Sequence, residues 1–171
     1  AAGYSPLQIE TYILSENFKV TTSGELHPNQ RFLFRQDYKN AGIIGISLSQ
    51  DKLLQKSLPT NFTSSTLMDY EMMLKLGIVS ASVRNNFDSL FVPFRCVASD
   101  IAKKESVIFK EGHLNEAVRA SMTYPFYYKS IMIDSVLLFD GGLYNNFPAD
   151  IMYNDFSPDF IIGSNVSYNA N

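Results

Sequence analysis

Near the C-terminal end of the chain an apolar run, Val136-Leu137-Leu138-Phe139, stops abruptly at Asp140-Gly141-Gly142. Four apolar residues bounded by a turn have the length of a buried strand. Two residues without side chains at its tip let the backbone turn sharply or approach other backbone closely. A carboxylate at the end of such a strand is where α/β proteins commonly place chemistry. Asp-Gly-Gly by itself is also a plain turn, so the weight of Asp140 depends on its surroundings.

The surroundings exclude several classes of function. The sequence has 171 residues, 46% hydrophobic and 18% charged, which suits one globular domain with a substantial core. With 14 Lys+Arg against 17 Asp+Glu the net charge is -3, so no basic field draws nucleic acid. Cys96 is the single cysteine and lies in an apolar stretch, where a buried thiol is expected. His27 and His113 are far apart and no metal-ligand spacing accompanies them, which argues against a zinc site. No apolar stretch is long enough to span a bilayer, and no signal-peptide pattern opens the sequence. Ala1-Ala2-Gly3-Tyr4-Ser5-Pro6 reads instead like one helix ending and another beginning: Gly3 suits a helix stop, Pro6 a first helical position, and Ser5 with Gln8 a capping box. The sequence is therefore expected to start mid-domain.

Along the chain, Leu7 to Phe18 is predicted as one short amphipathic helix. Val20 to Asn40 reads as a connecting excursion with a strand at Phe32–Phe34. A strand at Ile43–Ile46 and a helix over Gln50–Leu58, ended by Pro59, follow. Leu67 to Leu76 forms a helix that Gly77 breaks, its Met-rich face filling the core. Phe91–Val97 and Ser106–Phe109 are strand-length runs separated by a charged turn. Leu114, Ala117, Val118 and Ser121 keep one helical face until Pro125, with Asn115 and Glu116 facing away. Ile131–Ile133 and Val136–Phe139 form a hairpin about Asp134-Ser135. Pro148–Tyr153 gives one or two helical turns and Phe160–Val166 a last buried strand. Strands mixed with helices imply an α/β sheet with both faces covered.

Three stretches together resemble a known family: Pro93-Phe94-Arg95-Cys96-Val97-Ala98-Ser99-Asp100, Gly112-His113-Leu114 through Ala117-Val118-Arg119-Ala120-Ser121-Met122 to Pro125, and Asp140-Gly141-Gly142-Leu143-Tyr144-Asn145-Asn146-Phe147-Pro148. Their order and spacing are similar to those of the patatin-like phospholipases, most closely over residues 90–166, and several motifs agreeing at once are more specific than any one. The resemblance implies a three-layer α/β/α fold, a lipid or phospholipid ester substrate, no metal and no organic cofactor. It also implies a Ser-Asp dyad, with Asp140 as the general base and Gly141 and Gly142 supporting the motif. A serine hydroxyl is a poor nucleophile until a neighbouring base accepts its proton, and here that base is a carboxylate.

The nucleophile is missing. Neither a GxSxG elbow nor a glycine-rich oxyanion loop occurs in this chain. Ser49 stands where an elbow around Ser47 needs glycine, Ser121 sits in a helical pattern, and Ser164 follows Gly163 on an expected strand. Residues 1–171 are thus expected to be the C-terminal part of one patatin-like domain, an incomplete sheet that is inactive alone. Such a piece would be stable when paired with a second copy or with the missing N-terminal half, since open strand edges and apolar faces are otherwise exposed. Contact with a membrane surface is a further expectation. The compartment is not legible, and a membrane-associated or secreted bacterial protein is compatible with the sequence.

Other readings stand beside this one. Asp100 also ends an apolar run and could pair with Asp140, although capping a turn is the simpler role. Arg119 reads as a salt-bridge or surface residue. Tyr124-Pro125-Phe126-Tyr127-Tyr128-Lys129 would line an acyl-chain site, meet a lipid interface, or pack as a loop. Ser99 replaces the threonine usual in the family. A phosphoacceptor domain lacks its acidic pair and late lysine here, whereas a non-catalytic scaffold on the same fold is the main alternative.

Overall fold

A computed structural model of the protein describes residues 1–25 and 61–164. Helices α1 (Pro6–Ile13) and α2 (Glu16–Ser23) come first, then β1 (Asn61–Thr63) and the long helix α3 (Thr66–Ser82). Strands β2 (Cys96–Asp100) and β3 (Glu105–Phe109), helix α4 (Leu114–Ser121), strands β4 (Phe126–Tyr128), β5 (Ile131–Ile133) and β6 (Val136–Asp140), and helix α5 (Ala149–Phe156) complete the order. The α/β class is the one expected from the sequence.

One sheet is antiparallel, in the order β3-β2-β6-β5, while β1 pairs in parallel with β4. Register fixes which residues share a face. Ala98 lies opposite both Val107 and Asp140, and Leu138 opposite both Asp100 and Ile131. With alternating side chains, this puts Ala98, Val107, Val136, Leu138, Ile131 and Ile133 together, and they pack against Ala120 of α4. A second cluster, Phe87, Leu90, Cys96, Leu114 and Ala117, joins α4 to the end of α3 through Leu76, Val79 and Val83. On the sheet's opposite face, Ile108, Leu137 and Met132 are 40%, 44% and 66% exposed. Among the described residues, the expected cover is therefore present on one face and open over these three side chains.

Local chemistry explains where the elements begin and end. The capping box forms as expected, with the Ser5 amide donating to Gln8 Oε1 at 2.8 Å and the Gln8 amide to Ser5 Oγ at 3.3 Å. The single helix expected over Leu7–Phe18 is instead two. Ser15 caps a second helix by accepting from the Phe18 amide at 3.2 Å, while its own hydroxyl donates to the Tyr12 carbonyl at 2.6 Å. Gly77 does not break α3, which continues to Ser82; a helical glycine costs only about 1 kcal/mol, which the packing of α3 on α4 absorbs. The strand expected from Phe91 starts at Cys96. Residues 87–89 form a 3-10 turn, Phe91 is 86% exposed, and Arg95 is drawn into ion pairs with Asp88 at 2.6 Å and Asp155 at 2.5 Å. The hairpin between β5 and β6 turns on Asp134 (φ 49°) and Ser135 (φ 66°), both left-handed as a two-residue type I′ turn requires. Residues 160–164 of the expected last strand are exposed and form no strand, and its remainder lies outside the described residues. The elements expected at Phe32–Phe34, Ile43–Ile46 and Gln50–Leu58 also lie outside them, as do His27, Ser47 and Ser49.

Arg119 is not on the surface. Its side chain is buried on α4, where it bonds to Asp69 of α3 at 2.6 Å and to the Lys129 carbonyl at 2.9 Å, with its guanidinium carbon 5.0 Å from the centre of the Tyr128 ring. Asp69 is its counter-ion, so removing that carboxylate strands a buried charge. Asp69→Ala is expected to lower stability by about 3 kcal/mol in urea titrations. A change within about 0.5 kcal/mol, the range of an ordinary surface substitution, would show the pair to be idle.

Candidate functional site

Asp140 is the last residue of β6, half-buried, and held at three points. Its amide donates to the Thr123 carbonyl at 2.9 Å, its carbonyl accepts from Ser99 Oγ at 2.7 Å, and carboxylate Oδ1 accepts from the Gly142 amide at 2.7 Å. The backbone is thus fixed by α4's trailing loop on one side and by β2 on the other. Of the two glycine amides that could hold the carboxylate, only that of Gly142 does. Among the described residues no other hydrogen bond to this carboxylate forms.

The two glycines have different tasks. Gly141 lies directly on β2, and a methyl group there would overlap the Val97 carbonyl oxygen. At Gly142 an added methyl would come 2.8 Å from Asn146 Oδ1 and 3.2 Å from Asp140 Oδ1, so it would crowd side chains instead of backbone. Residues 141–143 wind as a 3-10 turn, closed by the Asn145 amide on the Gly141 carbonyl at 2.9 Å. Asn145 Nδ2 donates to Asp150 at 3.0 Å, bonding the loop to the start of α5.

The Thr123 carbonyl that receives Asp140 is itself anchored. Thr123 is fully buried; its hydroxyl donates to the Arg119 carbonyl at 2.7 Å and accepts from Arg119 Nη1 at 2.5 Å. A continuous path of hydrogen bonds therefore runs from Asp69 through Arg119 and Thr123 to Asp140. Thr123 carries no assigned role within the second resembling stretch, although its position four residues after Arg119, just past the helix end, is the signal for such a contact.

The other sequence candidates fall elsewhere. Asp100 caps its own turn, accepting from the Ala102 and Lys103 amides at 2.9 and 3.1 Å. It lies two positions along β2 from the residue opposite Asp140 and forms no pair with it. Ser121 ends α4 and Ser164 is exposed off any strand. Among the described residues no serine hydroxyl bonds to the Asp140 carboxylate, and no group of three or more His, Cys, Asp or Glu could hold a metal ion. No helix of the described residues is long and apolar enough to cross a membrane.

Cys96 is buried under α4, its thiol donating to the Ala117 carbonyl at 3.2 Å. Burial pushes its pKa up to about 11.

Known proteins resemble parts of this sequence. The family model for patatin-like phospholipase matches residues 1–153. A patatin-like phospholipase domain-containing protein of Caenorhabditis elegans is 36% identical over 69 residues, 39% of this chain and 5% of that protein. An uncharacterized NTE family protein of Mycobacterium bovis is 37% identical over 62 residues, 36% of this chain and 11% of that protein. Human patatin-like phospholipase domain-containing protein 6 is 41% identical over 66 residues, 37% of this chain and 5% of that protein. The chain thus covers only between 5% and 11% of the length of these relatives.

Two outcomes follow from the geometry. Gly141→Ala, which drives a methyl into backbone, is expected to cost about 2–3 kcal/mol in denaturant titrations, and Gly142→Ala clearly less; equal costs would deny the close approach of Gly141 to β2. Because a raised pKa leaves the native Cys96 thiol protonated until the pH nears about 11, a thiol reagent at about pH 8 is expected to label Cys96 only after unfolding. Prompt labelling of the folded protein would contradict this.

Proposed function

This chain belongs to the patatin-like phospholipase family, and from that membership we propose that it is the aspartate-bearing part of a lipid acyl hydrolase domain. Asp140 is the general base in this reading, and the serine it activates lies outside this sequence. The observation behind it is the state of the Asp140 carboxylate: Oδ1 is held by the Gly142 amide while Oδ2 has no partner among the described residues. A general base needs one oxygen oriented and one available.

The chemistry then follows the acyl-enzyme route. As the serine oxygen attacks the carbonyl carbon of a lipid ester, its proton passes to Asp140 Oδ2. The tetrahedral adduct collapses, the ester C–O bond breaks, and the departing alkoxide takes the proton from Asp140. Water next attacks the acyl-serine, again giving its proton to Asp140; the fatty acid leaves and the proton returns to the serine oxygen. Protons and electron pairs balance over the cycle with no further reactant. The Thr123 and Ser99 bonds hold the Asp140 backbone while its charge appears and disappears.

Contact with a lipid surface is part of the proposal. Tyr124 and Phe126, just beyond Thr123, are 64% and 69% exposed, and aromatic side chains suit the boundary between water and lipid. The apolar side chains left open on the sheet's second face favour association with the remainder of the domain or a second copy.

In the protein that carries this sequence together with its serine, Asp140→Asn is expected to lower esterase kcat by about 10³-fold or more, with KM little changed. The asparagine keeps the shape and accepts the Gly142 amide but cannot take a proton. Wild-type kcat in that variant would remove Asp140 from catalysis and leave the non-catalytic scaffold as the reading.

A further inference from the structure

The long helix α3 has an outer face that is left open among the described residues. Its inner side is accounted for: Met68 and Ser80 are buried, and Leu76, Val79 and Val83 pack against the cluster around Phe87 and Leu114. At about 3.6 residues per turn, Tyr70, Met73, Leu74, Gly77, Ile78 and Ala81 fall together on the opposite side. Four of them are large and open to solvent, Tyr70 by 54%, Met73 by 50%, Leu74 by 48% and Ile78 by 76%. A methyl group added at Gly77 would meet nothing nearer than Met73 Cγ at 4.0 Å. A solvated helix face is normally polar, and this one carries no charge. The charged residues of α3 are turned to internal partners instead, Asp69 to Arg119, and Glu71 to Lys75 and Tyr12.

We propose that α3 is a dimer seam, packed antiparallel against α3 of a second copy of this chain. The order of the six residues carries the argument. A two-fold axis at the height of Lys75 and Leu76 sets Tyr70 against Ala81, Leu74 against Gly77 and Met73 against Ile78, because all three pairs share one midpoint in the sequence. Bulky Tyr70 and Leu74 of each copy then lie over the small Ala81 and Gly77 of the other. A contact between identical faces has to be self-complementary in this way, and the bare backbone at Gly77 lets the two helices approach closely. The size agrees. The four large side chains leave on the order of 500 Å² open, so two copies would cover about 1,000 Å², where specific interfaces begin. A lipid surface fits less well, since a helix lying on one carries Lys or Arg beside its apolar side, whereas Lys75, the one cation of α3, is bound to Glu71. The seam is separate from the open sheet face at Ile108, Leu137 and Met132 and does not depend on the role of Asp140.

The test is sedimentation equilibrium and disulfide trapping of the protein that carries this sequence, which is expected to form a reversible dimer. Leu74→Glu puts a charge in the seam, and Gly77→Leu adds bulk where a single copy has open space. Each is expected to raise the dimer Kd about 30-fold or more, with the circular dichroism spectrum unchanged. Leucine is also a better helix former than glycine, so a weaker dimer in Gly77→Leu does not come from a lost helix. Trapping reads the direction of packing. Tyr70→Cys and Ala81→Cys, mixed and oxidised, are expected to give a covalent dimer of one copy of each. Either variant alone is expected to stay uncrosslinked, because each cysteine then lies about 16 Å along the seam from its counterpart; Cys96 is buried and does not compete. A protein that stays monomeric, a dimer that both seam variants leave intact, or crosslinking in Tyr70→Cys alone overturns the proposal. A monomer that sediments with phosphatidylglycerol vesicles, and no longer does so as Leu74→Glu, overturns it too and gives the face to a lipid surface. If Leu74→Glu fails to fold, Gly77→Leu and the trapping decide.

Discussion

The close approach of Gly141 to the Val97 carbonyl is the constraint on which the site depends. No side chain fits between the turn and β2, so the chain leaving β6 lies directly on the neighbouring strand. That contact sets the path of residues 141–143, brings the Gly142 amide back to Asp140 Oδ1, and keeps the strand end against Ser99. Each of these bonds is worth only about 1 kcal/mol net. Their importance is geometric: the amide, the carbonyl and one carboxylate oxygen of Asp140 are all engaged.

Two buried arginines hold the frame around that point. Arg119 ties α3 to α4 and to the strand that follows, and through Thr123 it reaches the Asp140 amide. Arg95 joins Asp88 to Asp155 of α5, with Phe156 under its guanidinium at 4.6 Å and Lys110 reaching the same Asp155 at 2.7 Å. Hydrogen bonds from Lys110 and Arg95 draw the Asp155 carboxyl below its ordinary range. Buried ion pairs contribute less to net stability than their Coulomb attraction suggests, because both charges leave water. Here each fastens several elements in one arrangement.

Much of this is legible in the sequence where local rules decide. The capping box at Ser5, the hairpin about Asp134-Ser135 and the helix from Leu114 depend on residues within a few positions of one another, and the structure keeps all three. Expectation and structure part where a second local signal or a distant contact competes. Ser15 is itself an N-cap and splits the first helix. Gly77 stays helical because its helix is long and packed. Pro93 and the ion pairs of Arg95 delay β2 to Cys96. The aspartate and its glycines can be read directly, since Asp-Gly-Gly after an apolar run has a distinct pattern. The part played by Thr123 and Arg119 cannot, because it emerges only when the end of α4 meets the end of β6 in space.

In the proposed reading, what the chain contributes to function is a positioned acid: a carboxylate with a fixed backbone and, among the described residues, one hydrogen-bonded oxygen and one without a partner. The most direct measurement is a structure of the protein that carries this sequence after reaction with a fluorophosphonate, which forms a covalent bond to an activated serine. The account expects a single labelled serine with its oxygen within hydrogen-bond reach of Asp140 Oδ2, about 2.6–3.2 Å. A labelled serine oriented by a different base, with Asp140 turned away from it, would contradict the account.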